Sequence, residues 1–267
     1  SHADRGAYRH GEHSLMKLDM RLTFPAFALL ALGLSQGASA AVGLDRTRVI
    51  FDGGKDATSV NITNNNTQLP YLAQGWIEDE TGKKINSPLI VLPPVQRLEP
   101  GKQSQVKVQA LPAAKSLPQD RETVYYFNLR EIPPRSDKSN TLQIALQTRI
   151  KLFYRPDAIA PSQQDLSNPW QQKLTLTREG DHYRVHNPTP YYVTLVDARA
   201  SKDGKTVPGF APVMVPPKDA LTLGPSAKAL GTSPYLAYVN DYGGRPLLAF
   251  TCNGNTCKVN AQASAPK

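Results

Sequence analysis

Beyond residue 40, apolar and polar positions alternate in short runs broken by Gly, Pro, Asn and Asp. "TRVIFDG", "TSVNITNNN", "LPYLAQGWIEDETG", "SPLIVLPP", "QSQVKVQALP", "ETVYYFNLREIPP" and "NTLQIALQTRIKLFYRP" form a first set of seven. A period of two, with β-branched and aromatic residues between regularly spaced turns, predicts half-buried strands of an all-β sandwich. A proline-, alanine- and glutamine-containing linker, "RPDAIAPSQQ" (155–164), separates these from a second set. That set is "QKLTLTREG", "DHYRVHNPTP", "YYVTLVDARA", "APVMVPP", "DALTLGP", "SPYLAYVNDYGG" and "PLLAFTCNG". No stretch keeps a capped helical period, and "DLSNPWQQKL" is interrupted by Pro169. The pattern predicts two sandwich domains in series, 41–158 and 159–260, with a frayed tail at 261–267.

The run at 140–156 is unusual. Leu142, Ile144 and Leu146 share one parity, and the run continues through Arg149 and Lys151 into Leu152, Phe153 and Tyr154 without a turn signal. Strands are commonly about five or six residues long. Two explanations stand side by side. The segment is a central strand with that parity in the core, or it lends itself to a partner's sheet by β-augmentation. An apolar edge is otherwise a hazard that proteins suppress.

The first forty residues read differently from the rest. Lys17 and Arg21 precede the apolar run "FPAFALLALGL" (24–34), and Ala38-Ser39-Ala40 follows. A basic region, a short apolar core and an A-x-A site predict a secretory leader cleaved after Ala40. The run is shorter than the roughly 20 residues that span a bilayer, so no membrane insertion is expected. Residues 1–15 precede the candidate starts Met16 and Met20 and read as upstream sequence.

Net charge is +9 overall and +8 from residue 41 onward, with 27 Lys/Arg against 19 Asp/Glu. The basic residues are scattered and no nucleic-acid module motif occurs, which argues against nucleic acid as a partner. Cys252 and Cys257 are the only cysteines, flanking an "NG" hairpin signal in a chain bound for an oxidising compartment. A disulfide is expected. His182 and His186 alone follow residue 40; i,i+4 on a strand, they are expected exposed, and no metal or other cofactor is expected. No metalloprotease, nucleophile-elbow, P-loop or dinucleotide motif appears, so no catalytic residue and no enzyme activity is expected.

Four motifs carry a resemblance: "LDRTRVIFDG" (44–53), "LPQDRETVYYFNLREIPP" (117–134), "NPTPYYVT" (187–194) and "YVNDYGGRPLLAF" (238–250). They resemble the PapD-like, P-pilus type of periplasmic pilus chaperones, and the similarity runs through nearly all of 41–260. The resemblance implies two immunoglobulin-like β-sandwich domains set as a boomerang around a cleft. It implies a periplasmic chaperone that binds, folds and caps pilus subunits lacking a final strand, and delivers them to an outer-membrane usher. Donor-strand complementation would use Leu142, Ile144 and Leu146, and Arg48 with Lys151 would grip the subunit's C-terminal carboxylate. Glu122, Arg155 and Asp241 would form an interdomain ion network. Pro70, Ile132 and Pro133 would lie on the usher-facing surface. Without a client, the donor edge allows self-association. A pilin or adhesin is the alternative, although a pilin is one incomplete domain and this chain carries two full strand sets.

Lys151 poses a puzzle, since its parity is opposite to that of Leu142, Ile144 and Leu146. Either a bulge or strong twist re-aims it, or the cleft is reached from the other face.

Overall fold

The structure is a computed structural model that describes residues 39–138 and 142–264. The first sandwich contains β1 (Val42–Leu44), β2 (Arg48–Asp52), β3 (Ala57–Asn64), β4 (Tyr71–Glu78) and β5 (Lys84–Ile85). It continues with β6 (Leu89–Leu92), β7 (Val95–Leu98), β8 (Gln103–Ala110), β9 (Thr123–Ile132) and β10 (Gln147–Arg155). One sheet has the order β1-β3-β8-β6; the other runs β2-β10-β9-β4-β5, with β7 also on β4. β1 precedes the first predicted run and joins one sheet, whereas β2, which lies within that run, joins the other. Alternating residues from both sheets, including Val49, Phe51, Val60, Ile62, Val106, Phe127, Leu152 and Tyr154, close the core. Burying a Leu, Ile, Val or Phe side chain stabilises by roughly 1.5–3 kcal/mol, which explains why the pattern of two holds wherever a sheet has a core face.

The second sandwich contains β11 (Thr175–Glu179), β12 (His182–Asn187), β13 (Val193–Arg199) and β14 (Val213–Val215). After these come β15 (Asp219–Ser226), β16 (Tyr235–Tyr238), β17 (Leu247–Asn253) and β18 (Thr256–Val259). The strand path is β14-β13-β16-β17-β18-β11-β12-β15 around a core that includes Leu176, Val185, Leu195, Leu236 and Phe250. β17 and β18 form a hairpin in which Cys252 lies opposite Cys257 and is disulfide-bonded to it. Gly254 takes φ +64° in the turn, a conformation glycine adopts without steric cost.

Three local expectations are corrected. Short helices exist: α1 (Gln163–Ser167), α2 (Ala227–Leu230) and α3 (Ala261–Ser264). α1 opens on a reciprocal Ser162–Asp165 capping box within the expected linker. Residues 261–264, expected as frayed tail, form α3, whose Ser264 hydroxyl accepts from the Ala249 N–H at 2.8 Å. His182 and His186 are half-buried, not exposed, because β15 pairs alongside β12.

Candidate functional site

The long run does not form one strand. The ladder of β10 with β9 begins at Gln147, opposite Arg130, and continues without slippage to Tyr154 opposite Thr123. Residues 142–146, expected to be strand, lie outside it. The physical cause is in β9, which runs into Pro133 and Pro134 after Ile132. Prolines have no N–H to donate to a neighbour. The last exchange is at Glu131, whose N–H donates to the Leu146 carbonyl at 3.1 Å.

The core-strand explanation therefore fails for this segment. Leu142 is 84% exposed and Ile144 56%, while Leu146 is half-buried. The parity returns to the core only within β10, at Leu152 and Tyr154. On its other side β10 pairs with β2 in parallel, but only from Lys151 opposite Arg48 to Arg155 opposite Asp52. Among the described residues, positions 147–150 have no strand on that edge.

Where the open edge stops, two cations stand together. The Arg48 guanidinium lies 5.7 Å from the centre of the Phe153 ring, and its Nε is buried without an acceptor among the described residues. Neither Arg48 nor Lys151 makes an ion pair with a carboxylate among those residues. Burial pulls the Lys151 ammonium below its ordinary value, and repulsion from Arg48 and Arg149 adds to the effect. Burial likewise lowers Arg48, against the opposing pull of Asp241 and Glu122. A cleft of 450 Å³ opens here, lined by Asp45, Arg46, Thr47, Arg48 and Ile50 and, from the second sandwich, Asp241 and Tyr242. Its mixed lining suits a charged or polar chain end better than an apolar ligand.

The parity puzzle has a simple answer. The register needs no bulge. Lys151, Phe153 and Arg155 share the face that meets the second sandwich, where Phe153 packs on Tyr192 with ring centres 5.7 Å apart. The cleft lies on the face opposite the parity of Leu142, Ile144 and Leu146.

Glu122, Arg155 and Asp241 lie together. Arg155 Nε donates to Glu122 Oε2 at 3.0 Å, and Nη1 and Nη2 form a fork onto Asp241 at 2.8 and 3.0 Å. Burial pushes the Glu122 carboxyl up to about 7, against Arg155 and the Tyr192 N–H, which donates to Oε1 at 2.7 Å. For Arg155, burial alone acts downward, and the two carboxylates overcome it and hold the guanidinium above its ordinary range. The fork onto Asp241 and the Nε bond to Glu122 are charge-assisted and hold Arg155 as a cation. Sequence reasoning missed the aromatic walls: the guanidinium also lies over Trp170 and Tyr191, at 5.3 and 5.0 Å. It missed the exposed bridge between Lys218 and Asp120 as well, at 3.1 Å.

At the far end of the same sheet, Leu72 of β4 pairs with Ile132 of β9. Pro70 and Pro133 flank these positions and are half-buried, while Leu69 and Leu72 are exposed. The structure thus groups Pro70, Ile132 and Pro133 at the strand ends remote from Lys151.

Two immunoglobulin-like sandwiches, a strand edge left open beside exposed Leu142 and Ile144, and a mixed polar cleft at Arg48 fit the architecture of a pilus-assembly chaperone, and comparison with known proteins agrees. Residues 41–160 match the model described as "Pili and flagellar-assembly chaperone, PapD N-terminal domain", and 169–250 match "Pili assembly chaperone PapD, C-terminal domain". The chain belongs to this PapD family of chaperones. It is 52% identical over 237 residues to the probable fimbrial chaperone YfcS of Escherichia coli K12, covering 89% of this chain and 93% of that one. Identity to the chaperone protein PapD of Escherichia coli is 50% over 236 residues, covering 88% and 96%. Among solved structures, the periplasmic chaperone SfaE matches with a TM-score of 0.64 at 31% identity, covering 79% of this chain and all of that one. The structure of the Salmonella enterica SafA pilin with its SafB chaperone matches with a TM-score of 0.66 at 26% identity, covering 81% and 98%.

Proposed function

We propose that this periplasmic pilus chaperone holds its subunits by lending residues 142–150 as a strand, and fixes them by gripping the subunit's terminal carboxylate between Arg48 and Lys151. The observation that supports this most is the exposed segment with Leu142 and Ile144, continuous with an unpaired strand edge that stops at two unneutralised cations. A subunit strand laid on that edge in line with β2 runs parallel to β10. Its C-terminus then arrives beside Arg48 and Lys151, where charge-assisted hydrogen bonds set the register. From Leu142 to Lys151 the edge is about 30 Å long at roughly 3.3 Å per residue. Leu142, Ile144 and Leu146 enter the subunit's groove and replace its missing strand.

The same reading assigns Glu122, Arg155 and Asp241 to holding the two domains in register with the client. Pro70, Ile132 and Pro133 face the outer-membrane usher to which subunits are delivered. Leader removal after Ala40 yields a protein of two domains, 41–158 and 159–260. The work is binding and hand-over by strand exchange, with no catalytic residue. Without a client, the edge pairs with a second copy.

The test is the double variant Leu142→Ala, Ile144→Ala. Both side chains are exposed, so its melting temperature stays close to the parent's, as surface substitutions shift stability by only about 0.5 kcal/mol. Pilin recovery from the periplasm falls sharply, since each truncation removes about 2 kcal/mol or more from the client contact. Normal pilin recovery with a lowered melting temperature would overturn the reading.

A further inference from the structure

Glu131 is 4% exposed at the end of β9, a carboxylate in the core region with no Lys, Arg or His ion-pair partner among the described residues. Both its oxygens accept only from backbone. Oε2 accepts from the Ala41 N–H at 2.7 Å and the Val42 N–H at 3.1 Å. Oε1 accepts from the Leu146 N–H at 3.2 Å, while the Glu131 N–H donates to the Leu146 carbonyl. One side chain therefore joins the start of β1, in one sheet, to the root of the segment 142–146, beside the other. A buried carboxylate served only by neutral donors is costly. The shortest of its hydrogen bonds comes from the nitrogen that leader cleavage after Ala40 turns into an ammonium group.

We infer that Glu131 is the receptor for the processed α-ammonium of Ala41, and that this ion pair makes it the positioning residue for the donor segment. The inference rests on the donor-strand reading for its link to clients. Before cleavage the Ala41 nitrogen is a neutral amide and the buried carboxylate has no counter-charge. After cleavage the pair is complete, with Val42 buried beside it and the Ala41 carbonyl accepting from the Asn65 N–H at 2.7 Å. The root at Leu146 is then held most firmly in the exported, processed chain, the form that meets pilus subunits.

Four periplasmic proteins test this: the parent, Glu131→Gln, the parent with one glycine added before Ala41, and the combination. Intact mass comes first, and a parent amino terminus at any residue other than Ala41 overturns the inference. The α-amine of the parent is expected to acylate about tenfold more slowly than that of Glu131→Gln. Hydrogen exchange at the Leu146 amide is expected to quicken about tenfold on adding the glycine to the parent, and not at all in the Glu131→Gln background. Equal acylation rates, or equal effects of the glycine in both backgrounds, would overturn it. If Glu131→Gln does not fold, the glycine-extended protein alone decides, since unchanged Leu146 exchange contradicts the inference. These measurements contain no client, so their failure is distinct from a failure of the pilin-recovery test.

Discussion

Arg48 and Lys151 are like charges in facing register, partly desolvated, and neither is ion-paired with a carboxylate among the described residues. Such a pair costs the empty chaperone, and in the proposed grip it is stabilised only in the complex. Replacing Lys151 by alanine should therefore leave the melting temperature no lower than the parent's. Subunit capture should be lost, because an unpaired buried charge partner costs roughly 2–5 kcal/mol. Differential scanning calorimetry with periplasmic copurification checks both halves, and a marked loss of stability would assign Lys151 to the fold. The pH dependence follows with a definite sign. Lys151 titrates below the ordinary 10.5, so the empty fold binds fewer protons than the unfolded chain in that window, and its stability contribution improves as pH rises through it. Client binding favours the charged form, so capture should decline as pH rises, starting below 10.5. A Lys151→Arg variant should hold its capture to higher pH, because arginine stays charged. Affinity measured across the alkaline range decides the point.

The proposed donor segment is defined by where its pairing ends. Alternation made residues 142–146 legible as strand-like, but alternation says nothing about whether a partner is present in the same chain. What ended the ladder was Pro133 and Pro134 on the neighbouring strand, a signal visible in "REIPP" yet informative only once β9 and β10 are known to be neighbours. The parity of Lys151 was likewise readable, and only the unslipped register showed that the cleft faces the other way. Glu131 was silent in sequence, since a charged residue near a strand end reads as exposed. The β17–β18 hairpin was the opposite case, because two cysteines around "NG" specify their own pairing. Replacing Cys252 and Cys257 by alanine should cost about 2 kcal/mol, the loop-closure entropy of so short a ring. That loss should appear in the melting of the second sandwich, with pilin recovery per folded molecule unchanged, as the pair lies apart from the cleft-lining residues. Free-thiol labelling of fresh periplasmic parent should find neither cysteine reactive.

At the scale of the whole molecule, the proposed grip requires Arg48 and Lys151 of one sandwich to be held at a fixed offset from the wall of the other. Arg155 does part of this through Glu122 and Asp241, and the loop carrying Asp241 also lies against Thr47 of the first sandwich. Asn240 Oδ1 accepts from the N–H groups of Tyr242 and Gly244, which shapes that loop. Gly243 has φ +85°, and a Cβ there would lie 2.6 Å from Thr47 Oγ1, beside Arg48 at the cleft. Two separable effects follow for Gly243→Ala. Strain of the left-handed backbone costs about 1 kcal/mol and acts within the loop. The clash with Thr47 acts between the domains and pushes the cleft open. Adding Thr47→Ala removes the obstructing hydroxyl without relieving the backbone, so it should restore client capture and leave the loss of stability. Arg155→Met, by contrast, strands the buried Glu122 without its cation, so its defect should not be rescued by Thr47→Ala. Residual dipolar couplings report the angle between the domains, and pilin recovery reports function. If Gly243→Ala leaves the angle and capture intact, the loop contact with Thr47 does not set the cleft, and the Arg155 network with the Phe153–Tyr192 packing holds the two sandwiches in place.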